Sequence, residues 1–178
     1  MILKHRFTAS SRDTHLSYNV PLVAGGSVEL LKQPHIANPN DVILGWTNDT
    51  TYAGRSGVVE IYMTYTTSTD TTYFGVGIST ATLPDTNLTT VYTSTTNPST
   101  IQSIHLTNRT DDGDYPVSVR ITNGASSSYL VKDMVIPRYS TVEICDNPKR
   151  VEGNGVIQVA VGQINTVDVT ISGKTITG

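Results

Sequence analysis

The chain has 178 residues, a formal net charge of -3 from 12 basic and 15 acidic side chains, 15% charged and 37% hydrophobic residues. That length holds one ordinary domain or two small ones, and the mild acidity argues against a general nucleic-acid binder and against electrostatic attachment to anionic lipid. No run approaches the roughly 20 apolar residues of a membrane helix, and the single Cys145 can form neither an intrachain disulfide nor a Cys-rich metal site.

Threonine, at 28 residues, fills the space left by the modest hydrophobic share. It is β-branched and suits a pleated, half-exposed surface, while Gly, Asn, Asp and Pro supply turns. The first residues, Met1-Ile2-Leu3-Lys4-His5-Arg6-Phe7, place their charges after a short apolar stretch and lack the apolar core of a secretory signal. Strands are expected at residues 2–8, 16–21, 27–31 and 42–47. The run Val58-Val59-Glu60-Ile61-Tyr62-Met63-Thr64-Tyr65 follows, with Val59, Ile61, Met63 and Tyr65 on one face. Further strands are expected at 73–79, 88–93, 101–107, 117–121, 129–136, 141–145, 156–161 and 167–171. Val117, Val119 and Ile121 alternate inward, as do Val167, Val169 and Ile171. Turn signals separate these runs, among them Asn38-Pro39-Asn40-Asp41, Asp111-Asp112-Gly113-Asp114, Asn123-Gly124 and Gly153-Asn154-Gly155. Many short strands at this spacing predict an all-β chain built as a sandwich or barrel.

The sequence also repeats itself. Val20-Pro21, Ser27-Val28-Glu29-Leu30, Pro34-His35-Ile36, Asn40-Asp41-Val42-Ile43 and Val58-Val59-Glu60-Ile61 occur in this order. Ile136-Pro137, Thr141-Val142-Glu143-Ile144, Pro148-Lys149-Arg150-Val151, Asn154-Gly155-Val156-Ile157 and Val167-Asp168-Val169-Thr170 follow the same order. A Val-Pro or Ile-Pro step ends a strand because proline removes a ladder donor. The duplication predicts two tandem β-sandwich units, residues 1–87 and 88–178, the first incomplete or permuted. Residues 2–8 would correspond to 117–121. The first unit then lacks an opening strand, and its vacant edge is expected to be filled by residues 73–79 or by another chain. Val59, Ile61, Val117, Val119, Ile121, Val142, Ile144, Val167, Val169 and Ile171 are the expected core.

The string Ile101-Gln102-Ser103-Ile104-His105-Leu106-Thr107-Asn108-Arg109-Thr110 resembles part of the small virion proteins of tailed bacteriophages, especially of the cyanophage type. So do Tyr129-Leu130-Val131-Lys132 through Ile136-Pro137, Thr141-Val142-Glu143-Ile144 and the closing run 167–171. The resemblance is clearer over 88–178 than over 1–67, and its motifs contain no catalytic signature. It implies Ig-like or jelly-roll-like sandwiches on a capsid, neck or tail. It defines no binding residue that could be carried over.

Chemical motifs are sparse. None of His5, His15, His35 and His105 stands at metal-ligand spacing from another ligand, and all four read as ordinary strand histidines. His105 is expected to face away from Ile104 and Leu106. No serine lies in a Gly-x-Ser-x-Gly elbow. The cluster Asp111, Asp112 and Asp114 offers oxygen ligands of the kind calcium takes, but lacks the spacing and terminal Glu of an EF-hand. A solvated hairpin tip accounts for it more simply. Gly75-x-Gly77 precedes no helix and is not a phosphate loop. Asn48, Asn87 and Asn108 begin Asn-x-Thr patterns, which a Thr- and Asn-rich chain produces by chance. Trp46 and the nine tyrosines raise a sugar-stacking reading, although Tyr62 and Tyr65 would lie on opposite faces of one strand.

No catalytic, cofactor-binding or metal-ligating residue is therefore assigned, and no cofactor is expected. The expectation is a non-enzymatic virion structural protein, assembled in the host cytoplasm, with no nucleic-acid or membrane partner. A capsid decoration protein that binds and stabilises the particle is favoured. The alternatives are a neck or tail accessory ring component and a carbohydrate- or receptor-binding module of a fibre. The expected partners are the major capsid, neck or tail proteins, with further copies of the chain in an oligomer or symmetric array.

Overall fold

The computed structural model describes residues 2–7, 12–18, 20, 30–31, 35–46, 72–79 and 86–176. Every regular element among them is a strand, and all pairings are antiparallel. In chain order they are β1 (Ile2–Phe7), β2 (Arg12–Ser17), β3 (Val42–Trp46), β4 (Tyr73–Ser79), β5 (Thr89–Thr93), β6 (Ser99–Asn108), β7 (Tyr115–Asn123), β8 (Ser126–Ile136), β9 (Thr141–Glu143), β10 (Lys149–Val151), β11 (Val156–Val161) and β12 (Val167–Thr175).

They form three sheets. A small sheet runs β2-β1-β3. A middle sheet runs β10-β6-β12-β4, with β9 also on β6. A long sheet runs β5-β11-β7-β8. The apolar core lies between the middle and long sheets. Ile101, Ile104, Leu106, Val167, Val169 and Ile171 face Val117, Val119, Ile121, Ile157, Val159 and Val161. Valine and isoleucine dominate because a β-branched side chain loses little rotamer freedom on a pleated surface. The inward faces of β7 and β12 are those the alternation predicts. Val142 and Ile144 are only partly buried, because β9 is three residues long and hangs on the end of β6. Val59 and Ile61 lie outside the described residues, as does the whole 58–65 run.

Several boundaries differ from expectation. The expected strand at 16–21 begins earlier, and β2 ends at Ser17. Leu30 and Leu31 are not in a strand. β10 falls on Lys149–Val151, too short to show alternation. The β7–β8 hairpin closes at Asn123↔Ser126, so its two-residue loop is Gly124-Ala125. Gly124 takes φ 58 there, a conformation glycine adopts without a Cβ penalty.

The duplication has a structural counterpart. The order β2-β1-β3 matches β8-β7-β11, with the earliest strand of each trio in the centre. Both third strands follow the same turn. Asp41 N donates to Asn38 O at 3.0 Å, and Gly155 N donates to Glu152 O at 2.8 Å. Asn40 and Asn154 both have positive φ, 70 and 61. Asparagine tolerates this left-handed conformation better than residues with bulkier side chains. Asn40→Ala and Asn154→Ala are each expected to lower stability by about 1 kcal/mol, and Asn→Gly at either site to lower it far less. Urea unfolding of the four variants checks this.

β4 corrects the edge expectation. It hydrogen-bonds along its length to β12, from Asp168↔Ser79 to Lys174↔Tyr73. It therefore extends the sheet of the second half rather than the small sheet, while lying close to β1 and β2. β12 is nine residues long and carries β6 along one edge, so its other edge offers β4 a full-length partner.

Candidate functional site

The small sheet packs on the face of the middle sheet opposite the core. On β12 that face carries Asp168, Thr170 and Ser172; on β6 it carries Ser103, His105 and Thr107. All six are buried. His105 does face away from Ile104 and Leu106, as expected, but it is covered rather than solvated, at 2% exposure. Alternation defines a strand's second face; a sheet docked onto that face decides whether water reaches it.

The four histidines, scattered in sequence, meet in this layer. The turn before β3 positions Asp41, whose Oδ2 accepts from Asn38 N at 2.9 Å, Asn38 Nδ2 at 3.0 Å and His5 Nε2 at 3.0 Å. A carboxylate only accepts, so His5 Nε2 carries a proton and His5 Nδ1 is bare. His35 Nε2 then donates to His5 Nδ1 at 2.8 Å. His35 Nδ1, bare in turn, faces Ser172 Oγ at 3.4 Å, while that oxygen accepts from Ile36 N at 3.1 Å. The His35 ring meets the His105 ring edge-on, centroids 6.0 Å apart. Phe7 covers the His5 ring at 3.7 Å.

Two more histidines pair with carboxylates. His15 donates from its backbone N and from Nδ1 to Asp168 Oδ2, at 3.0 and 2.9 Å. Arg109 Nε stands 3.4 Å from Asp168 Oδ1, off the hydrogen-bonding axis. His105 Nε2 approaches Glu143 Oε2 to 3.0 Å, again without hydrogen-bond alignment. This is a contact between a buried ring and a buried carboxyl, not a formed bond. The other Glu143 oxygen accepts from Ile104 N and Cys145 N.

Burial sets the protonation of the layer. It pushes His35 down to about 3 and His105 down to about 4. His5 is also lowered, because loss of water outweighs its bond to Asp41. Burial raises Glu143 despite its backbone donors. Cys145 is pushed up to about 12, so its thiol is not a nucleophile at neutral pH. Thiol-reactive dye is expected to label native protein slowly and urea-unfolded protein at the rate of a free cysteine.

The Asn38 side chain ties the layer to β4. Its Oδ1 accepts from Gly75 N and its Nδ2 donates to Gly75 O, both at 3.2 Å. It thus pairs with that backbone as a neighbouring strand would. A Cβ at position 75 would collide with the Ile36 carbonyl oxygen. Gly75 therefore serves close approach, not phosphate binding.

Other sequence candidates resolve into local structure. Asp112 is held below the usual carboxylate range by hydrogen bonds from Thr110 and Tyr115, and Asp114 Oδ1 accepts from Arg138 N at 2.9 Å. These carboxylates brace the β6–β7 connection, which crosses from the middle sheet to the long sheet instead of closing the expected hairpin. Asn108 is buried and its amide donates to Gly113 O and Ile136 O, which removes it as a glycan acceptor in the folded chain. Asn87 is exposed. Asn48, Tyr62, Tyr65 and the Trp46 side chain lie outside the described residues. No group of three His, Cys, Asp or Glu side chains placed to hold a metal ion occurs among the described residues. The histidine layer was not legible in sequence, since its members come from residues 5, 15, 35 and 105.

No family model matches the chain, and no curated protein is significantly similar to it.

Proposed function

We propose that this chain is a non-enzymatic structural protein of a tailed-phage virion, acting as a capsid decoration protein that docks on the assembled particle. The phage assignment rests on the sequence resemblance over 88–178. The observation that carries a docking role is β8. It is 11 residues long and ends the long sheet, paired only with β7 among the described residues. Tyr129 and Val135 on it are 44% and 56% exposed. Arg120 and Lys132 flank the Tyr129 ring at 6.0 and 5.7 Å. An open strand end with aromatic and aliphatic anchors and cationic neighbours suits burial against another protein, with backbone hydrogen bonds adding register.

Quantitative mass spectrometry of purified virions tests the reading. Hundreds of copies per particle are expected. Six or twelve copies instead indicate a neck or tail ring, and absence from particles rejects a virion role. Val135→Asp, which leaves the core untouched, is expected to reduce attachment to particles lacking the protein at least tenfold.

A further inference from the structure

We propose that the histidine layer is an acid-release latch: uptake of more than one proton by the His5–His35–His105 group undocks the small sheet from the middle sheet and leaves the apolar sandwich folded.

The hydrogen-bond chain explains the limit of one proton. At neutral pH it runs Ser172 O–H to His35 Nδ1, His35 Nε2–H to His5 Nδ1, and His5 Nε2–H to Asp41. A first added proton fits. His5 becomes the cation beside Asp41, donating from Nδ1 to His35 Nε2, while His35 switches tautomer and donates from Nδ1 to Ser172 Oγ. A second proton on this pair has no place, because it would set two N–H groups against each other across 2.8 Å. A proton on His105 adds a second cation against the His35 ring.

The surroundings do not compensate. Among the described residues, the ionisable groups facing the trio are Asp41, from the turn before β3, and Glu143, from β9. Asp41 can balance one cation and already accepts three hydrogen bonds. Glu143 has its pKa raised by burial, so its charge is neutralised early on acidification, just as His105 begins to need it. Asp168, further along β12, is already engaged by His15 from β2 and by Arg109 just after β6.

The two interfaces of the middle sheet respond differently. Among the described residues, the core shared with the long sheet is built of aliphatic side chains and Cys145, with Phe74, Tyr92, Tyr115 and Met134 at its margin, and none of these titrates in acid. The face shared with the small sheet holds every histidine. A buried cation without a partner costs several kcal/mol, and here that cost falls on one interface only.

Peptide-level hydrogen exchange of the full chain between pH 7.5 and 4.5, corrected for the intrinsic pH dependence of exchange, tests the latch. The expected result is at least a tenfold loss of protection in peptides from β1, β2 and β3, with β7, β11 and β12 still protected. Unchanged protection in the small sheet, or simultaneous loss in all three sheets, overturns the proposal. A His35→Gln/His105→Gln variant is expected to keep the small sheet protected at pH 4.5. If that variant does not fold, histidine ring NMR of the wild type decides. Proton uptake by His35 and His105 coincident with loss of protection in β1–β3 supports the latch. Uptake at a pH where β1–β3 stay protected overturns it.

Discussion

Replacing Asp168 by alanine is expected to destabilise the protein by about 3 kcal/mol, the low end for breaking a buried ion pair. The side chain is 1% exposed and takes two hydrogen bonds from His15, one of them from its backbone N–H. Truncation leaves that N–H without its partner between two sheets, where an unmet donor costs about 1–3 kcal/mol. It also leaves Arg109 beside an apolar methyl group. Arg109 is 29% exposed and can turn partly to water, which keeps the loss from the top of the range. Asp168→Asn, which retains an acceptor oxygen, should lose much less. For a chain of this size the alanine variant should melt about 6–12 °C lower. A fall under 2 °C in calorimetry would show that the His15–Asp168 contact does not hold the sheets together.

Acidification is the second large effect. His35 and His105 have folded pKa values of about 3 and about 4, below their ordinary value of 6.5. Below pH 6.5 the released or unfolded chain binds these protons and the docked chain does not. Their contribution to stability is therefore complete above pH 6.5 and falls as pH drops, until about pH 4 for His105 and about pH 3 for His35. The limiting slope is about 1.4 kcal/mol per pH unit for each histidine. His5, lowered by burial, acts in the same direction. Glu143 opposes them, since its raised pKa contributes stability that is complete at low pH and lost as pH rises through the folded value. One carboxyl offsets only part of two or three imidazoles. Urea midpoints at pH 7.5 and 5.0, followed by Trp46 fluorescence and by far-UV circular dichroism, should fall on acidification. Replacing both His35 and His105 by glutamine should flatten most of that fall. Equal midpoints at the two pH values for the wild type would rule out buried neutral histidines.

These two effects arise where sequence reading reaches least far. The exposure of Asp168 depends on His15, 153 residues away in the chain, and that of Ser172 on His35, 137 residues away. Local pattern carries no information about such pairings. Composition also disguised the layer. Thr14, Thr107, Thr170, Ser103 and Ser172 are all buried, yet each is a residue type usually found at the surface. They tolerate burial because they are small and uncharged, and several meet a partner across the layer, as Thr170 does with Thr14 at 3.2 Å. The repeat was legible for the opposite reason. Its turns require a left-handed residue at a set distance before a Val-Ile strand, and Asn40 and Asn154 mark that need locally.

By itself the sequence determined that the chain is all-β, where most strands of its second half lie, which of their faces is apolar, and that a strand–turn unit occurs twice. Period-two alternation and turn chemistry are local physical demands, so they are written in consecutive residues. Only the tertiary structure decided that β4 joins β12, that the polar face of the middle sheet is covered, and that four unrelated histidines meet in one layer. Those outcomes follow from which surfaces exclude water from each other, a long-range free-energy balance that no single segment contains.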